Sequence, residues 1–163
     1  MWKTIASSVV ADGIVVVPHG RGEWLMGLKA GGKGDVTKSR ILWRKKITNT
    51  DAATPVARDG LVYVLVDRGK ERGTVLCLDP KTGNEVWKGA LPKSASTYYA
   101  SPILVGDTLC CPREDGVVLM VKVTQSGLGE VTENKIGESL IASPAYVDGK
   151  LLLRSDKHLW CIE

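Results

Sequence analysis

Few residues in this sequence have the types and spacing that chemistry needs. Cys110 and Cys111 are adjacent, and a thiol becomes a nucleophile or a disulfide partner when its surroundings lower its pKa and its geometry allows. Neighbours in a strand point to opposite faces, so the pair reads as two strand cysteines, one directed to each side. Gly27-Leu28-Lys29-Ala30-Gly31-Gly32-Lys33-Gly34 has the spacing of a phosphate-binding loop. Such a loop needs a Ser or Thr hydroxyl after the lysine and a helix behind it. Gly34 takes the place of that hydroxyl, and the following Lys/Gly/Asp/Ser composition is that of a flexible loop. His19 sits between Pro18 and Gly20, and His158 follows Asp156 and Lys157 just before a strand. Either imidazole could act as a base, but no Ser or Cys stands in a recognisable nucleophile setting. Both read as turn histidines, and no catalytic, cofactor-binding or metal-binding residue is assigned.

The remaining polar clusters point the same way. Cys77, Cys110, Cys111 and Cys161 contain no CxxC pair and no histidine at ligand spacing, so they form no zinc pattern. They are also too few for a disulfide-stapled miniprotein. Cys77 and Cys161 fall inside apolar runs and are expected to be buried free thiols. Residues 1–50 carry nine Lys/Arg against three Asp/Glu, with the excess at Lys29, Lys33, Lys38, Arg40, Arg44, Lys45 and Lys46. Apart from Trp43 no aromatic is interleaved. The cluster therefore reads as a solvated loop and strand edge, where Lys deters edge-to-edge pairing, and not as a nucleic-acid surface.

The elements that position these residues are strands. The chain has 163 residues, 44% of them hydrophobic, which suits one globular domain spanning 1–163. Its longest apolar stretches, such as Ile14–Val17 and Leu151–Leu153, are strand-sized, far short of the ~20 residues of a membrane helix. Abundant Val leans towards β structure, and no segment shows sustained helical spacing with a cap. The opening Met1-Trp2-Lys3-Thr4-Ile5-Ala6-Ser7-Ser8 has no basic stretch followed by an apolar region, so it is not read as a signal peptide. As it stands the chain is expected in the cytoplasm; as a piece of a longer relative it would be periplasmic or secreted.

An internal repeat organises the whole chain. Ala53-Thr54-Pro55 precedes a strand, Asp59-Gly60 and a second strand. Ser101-Pro102 with Gly106-Asp107, Ser143-Pro144 with Asp148-Gly149, and Ser7-Ser8 with Asp12-Gly13 do the same. Successive turns at 13, 60, 106 and 149 lie 47, 46 and 43 residues apart, the period of a four-stranded propeller blade. Asp-Gly suits a tight hairpin, because Gly accepts positive φ, and Pro fits the start of a strand. The units run over about 7–46, 53–90, 100–133 and 142–163. Trp43 and Trp87 fall in the fourth strands of the first two, Val131 is expected in that place in the third, and the fourth unit stops after its third strand. Trp24 and Trp160 fall in third strands and are expected in the core or facing the central funnel.

Leu78-Asp79-Pro80-Lys81-Thr82-Gly83-Asn84-Glu85-Val86-Trp87 resembles the tryptophan-docking motif of pyrroloquinoline-quinone-like (PQQ-like) propellers, with Asp79, Thr82, Gly83 and Trp87 at the motif positions. Partial copies around it extend the resemblance over nearly the whole chain. The resemblance implies an all-β propeller with about four four-stranded antiparallel blades, a partial or half ring, and Trp43 and Trp87 as docking residues between blades. It also implies that Trp2-Lys3 matches Trp87-Lys88, which makes residues 1–5 an outer strand of a neighbouring blade. Three closures fit: a tight four-bladed ring, two chains joined head to tail, or a piece of a longer propeller, which is favoured.

The family resembled includes quinoprotein dehydrogenases, which hold the quinone and Ca²⁺ at the centre, and non-catalytic scaffolds such as the propeller lipoprotein of outer-membrane barrel assembly. Some dehydrogenases carry a vicinal disulfide at the cofactor, which Cys110-Cys111 would have to supply. No cluster of oxygen ligands that Ca²⁺ would need is evident. The expected function is a non-catalytic scaffold of the cell envelope for protein or ligand binding and assembly, with no cofactor. Its partner would be a protein or a second copy of the chain, with no nucleic acid and no membrane span. The alternatives are a PQQ-dependent dehydrogenase or its degenerate relative, with PQQ and Ca²⁺, and a sensor domain of a larger receptor or kinase.

Overall fold

The computed structural model describes residues 5–19, 23–47 and 49–163. These form strands and loops, with no helix among the described residues, and hence none long and apolar enough to cross a membrane. The first sheet runs β1 (Val9–Ala11), β2 (Ile14–His19), β3 (Trp24–Lys29), β4 (Ile41–Lys46), and the second β5 (Val56–Arg58), β6 (Leu61–Leu65), β7 (Thr74–Leu78), β8 (Glu85–Ala90). The third is β9 (Ile103–Val105), β10 (Thr108–Pro112), β11 (Val117–Val123), β12 (Leu128–Lys135). The fourth has three strands, β13 (Ala145–Val147), β14 (Lys150–Arg154) and β15 (Leu159–Ile162). Every pairing is antiparallel between chain neighbours. The repeat therefore folds as four consecutive meanders, the last one strand short.

The first hairpin of each sheet shows why the Asp-Gly repeat is there. Asp12 and Gly13, Asp59 and Gly60, and Asp148 and Gly149 all have positive φ, a pairing that matches strand twist and is open to Asp and Gly. The third sheet inverts the order and has positive φ at Gly106.

Alternate residues of each middle strand face opposite neighbours, so both faces of the middle sheets are apolar. Val62, Val64, Leu76 and Leu78 of the second sheet pack with Ile14, Val16, Leu25 and Trp43 of the first. Tyr63, Leu65, Val75, Cys77 and Trp87 pack with Leu109, Cys111, Leu119 and Val121 of the third. Cys110 and Val118 pack with Leu140 and Leu153. The sheets thus stack in chain order.

Two expectations change. Trp43 pairs with Gly27 and Trp87 with Cys77, and the matching position of β11, Met120, pairs with Thr132. Thr132, not Val131, stands at the tryptophan register. The eight-residue β12 pairs Val131 with Val121, so Val131 packs towards the second sheet. Cys161 is exposed, not buried, because it sits on the face of the fourth sheet turned away from the third, where no described sheet covers it. The proposed outer strand of residues 1–5 lies outside the described residues except Ile5, which is not in a strand; its N–H donates to the Asp51 carbonyl at 2.9 Å.

Candidate functional site: the loop end of the stack

A meander places its inter-sheet linkers and its second-to-third-strand loops at one end, and its remaining turns at the other. Backbone bonds lock the linkers to the loops. The Asp67 N–H donates to Asn49 O and the Tyr98 N–H to Asp67 O; the Glu114 N–H donates to Thr97 O and the Leu140 N–H to Glu114 O. Five of the six buried polar residues, Thr50, Asp51, Asp67, Arg113 and Ser155, lie in these segments; Thr74 is the other. The apolar stack thus carries one polar end.

Asp67 is the centre of the first cluster. Its Oδ2 accepts the Ala52 N–H at 2.7 Å and the Ala53 N–H at 3.4 Å. Burial pushes the carboxyl up to about 6, with the Ala52 bond working against it. Beside it, Arg68 pairs with the buried Asp51 at 3.0 Å. The Asp67 Oδ1, Thr50 Oγ1 and His19 Nε2 atoms are buried with no hydrogen-bond partner among the described residues. A buried polar atom in that state is a place for a water or a ligand group.

The second cluster joins the third sheet to its linker. Arg113 bonds Asp115 at 2.8 Å. Burial raises the Asp115 carboxyl, but the Arg113 hydrogen bond and charge outweigh it and hold the group below its ordinary value. Burial raises the Tyr98 phenol, and Arg113 beside it opposes that rise. The Thr97 hydroxyl donates to the Glu114 carboxylate.

In the third cluster Ser155 Oγ donates to Glu138 Oε2 at 2.5 Å, and His158 Nδ1 lies 2.8 Å from Glu138 Oε1. The Ser155 hydroxyl and the His158 charge hold the Glu138 carboxyl below its ordinary value. The imidazole meets the carboxylate and not the hydroxyl, whose contact with His158 is to the backbone N–H at 2.8 Å and the carbonyl at 2.9 Å, so the hydroxyl has no imidazole base. The Trp160 N–H also donates to Ser155 Oγ, at 3.3 Å. The group closes the β14–β15 loop.

The other sequence candidates lie elsewhere. Cys110 and Cys111 are free and buried in different inter-sheet clusters. Burial pushes Cys77 up to about 11 and Cys110 to about 12, and Cys111 well above an ordinary thiol, the reverse of what nucleophilicity needs. Gly27 lies inside β3, where an added Cβ would come 2.2 Å from the Trp43 ring, so this glycine makes room for an indole. Trp24 is half-buried beneath the Arg44 guanidinium, 4.4 Å from the ring centroid. Among the described residues no three His, Cys, Asp or Glu converge as a metal site. Sequence reasoning missed Asp67, because a lone Asp after an apolar strand carries no spacing signal.

The family model described as outer membrane protein assembly factor BamB matches residues 3–163. No curated protein matches the sequence. Among solved structures, BamB from Moraxella catarrhalis is similar with a TM-score of 0.64 and 15% identity, over 93% of this chain and 41% of that one. The computationally designed Ika4 protein gives 0.69 and 13%, over 100% of this chain and 94% of that one. The quinohemoprotein alcohol dehydrogenase ADHIIG from Pseudomonas putida HK5 gives 0.65 and 14%, over 91% of this chain and 28% of that one. The chain thus spans less than half of that BamB and of that dehydrogenase, and at these identities the likeness is one of fold. The meander stack and the match along nearly all of its length place the chain in the PQQ-like propeller family whose model bears the BamB description.

Proposed function

We propose that the chain is a non-catalytic propeller scaffold that presents its loop end to a protein or ligand during assembly at the cell envelope. The observation that carries this reading is what the loop-end side chains do. Asp67, Arg113, Glu114 and Glu138 spend their bonds on linkers and loops, which makes a fixed platform. Trp43 and Trp87 serve that platform as docking struts between sheets, each donating its indole N–H to a carbonyl of the next sheet. The BamB description of the matching family model points the same way.

The competing reading is a PQQ-dependent dehydrogenase, and the donor set among the described residues does not fit its Ca²⁺. That ion takes six to eight oxygens. At the loop end Asp51 is paired with Arg68, Asp115 with Arg113, and Asp67 Oδ2 with backbone N–H groups. Among the described residues this leaves Asp67 Oδ1 as the one buried carboxylate oxygen with no partner.

Thermal unfolding with PQQ and Ca²⁺ tests the choice, since a ligand of the native state raises Tm. No shift is expected. A saturable rise that needs both additives overturns the scaffold reading. In parallel, photo-crosslinkers at Tyr99 and Lys157 on the loop end are expected to capture protein from an envelope fraction, and one at Gly106 on the hairpin end is not.

A further inference from the structure

The two middle sheets are covered on both faces, and the outer faces of the terminal sheets carry the same apolar pattern with no sheet packed on it among the described residues. On the second sheet, Tyr63, Val75 and Cys77 face the third sheet, and Val75 and Cys77 are 0% exposed. The matching positions of the fourth sheet are Leu152, Leu159 and Cys161. There Leu159 is 70% exposed and Cys161 is open. Val62, Val64, Leu76 and Leu78 face the first sheet and are buried, whereas their matches Val15, Val17, Met26 and Leu28 are only half-covered. Of the eleven exposed large hydrophobics among the described residues, seven lie in the first or fourth unit and two more, Ile5 and Ile141, lie just ahead of them.

A hydrogen-bond ladder gives these two faces opposite polarity. The Ser7 N–H donates to Thr54 Oγ1 at 2.9 Å, the Thr54 N–H to Ser101 Oγ at 3.0 Å, and the Ser101 N–H to Ser143 Oγ at 3.0 Å. Each rung joins one sheet's residue to its counterpart in the next. Among the described residues the ladder ends with an unused acceptor at Ser7 Oγ and an unused donor at the Ser143 N–H. A fifth sheet seated on the fourth must therefore offer a Ser or Thr hydroxyl ahead of its first strand, and the first sheet of this same chain offers one.

We propose that the open faces are an interface between copies of this chain, joined head to tail, with the first sheet of one copy seated on the fourth sheet of another and the ladder running from Ser143 N–H to Ser7 Oγ across each join. Two copies with two such joins close on themselves and leave no face open; a single join would grow open-ended. The contact continues an inter-sheet interface already made three times within the chain. It concerns the ends of the stack and stands whether or not the loop end binds a partner.

Light scattering over a concentration series is expected to give twice the 17.6 kDa chain mass. The mass of a single chain throughout, or species that grow without limit, overturns the closed pair. Two charge substitutions on open positions separate geometry from misfolding, because Leu159 and Val10 are 70% and 61% exposed and their replacement leaves the internal stack intact. Leu159→Glu alone and Val10→Lys alone place a charge in both joins and are each expected to be monomeric, with unchanged far-UV circular dichroism. An equimolar mixture keeps one join unaltered and is expected to recover the paired mass. A mixture that stays monomeric while both variants remain folded overturns the head-to-tail arrangement.

Discussion

The Trp43 indole N–H donates to the Pro80 carbonyl oxygen over 2.7 Å, tying β4 of the first sheet to the turn after β7 of the second. The ring lies between two glycines. A Cβ on Gly27 would come 2.2 Å from the indole, and one on Gly83 2.6 Å. Trp87 repeats the relation one sheet further on, with its N–H 3.1 Å from Thr124 O and its ring 5.9 Å from that of Tyr63. The Thr-Gly of the motif therefore has a packing reason: the indole of one sheet occupies the space a side chain would take in the next.

Gly83→Ala tests this packing. The residue has φ +66, so alanine meets backbone strain as well as the ring. Strain and overpacking together should cost about 2–4 kcal/mol in urea denaturation. Gly149→Ala is the control, with φ +79 and nothing within 4 Å of the added Cβ, and should lose only the strain of about 1–2 kcal/mol. Equal losses at the two sites would remove the indole from the account.

The strand order and the hairpins were legible in the sequence because they rest on local chemistry: Asp12-Gly13, Asp59-Gly60 and Asp148-Gly149 each set a turn within four residues. The opposite facing of Cys110 and Cys111 followed from the period of a strand. What was not legible depends on register and on neighbours. Val131 and Thr132 differ by one position, and only the register in which β12 pairs with β11 decides which takes the tryptophan position. Cys161 has the apolar flanks of Cys77, yet lies open because no sheet among the described residues covers that face. The role of Asp67 depends on the Ala52 N–H, fifteen residues away, which no local pattern announces.

Asp67 makes stability depend on pH. Its folded carboxyl sits at about 6 against an ordinary 3.8, raised by burial. The folded state therefore holds a proton that the unfolded state has lost between those values. This contribution is complete below the unfolded value and is lost as pH rises through about 6. Asp67→Asn keeps an oxygen for the Ala52 N–H and carries no charge. Its stability relative to the wild type should therefore rise between pH 4 and 7 and level off above that, as read by urea midpoints. A difference that is flat with pH would show that Asp67 is not the titrating group.

Thr132 offers the converse experiment to Gly83. In the first two interfaces a tryptophan stands at this register; here Met120 pairs with a threonine. A cavity of about 250 Å³ remains between the third and fourth sheets, lined by Val118, Met120, Ile136, Tyr146, Leu151 and Leu153 among others. An indole introduced at Thr132 lies on the same face as Met120 and covers that apolar wall. Thr132→Trp should therefore raise stability by about 1 kcal/mol, within the range of cavity-filling substitutions. Val131→Trp, directed at the packed second sheet, should lower it by about 1–3 kcal/mol through overpacking. Thermal and urea unfolding of the two variants read the register directly, because the opposite pair of signs would place Val131, and not Thr132, on the Met120 face.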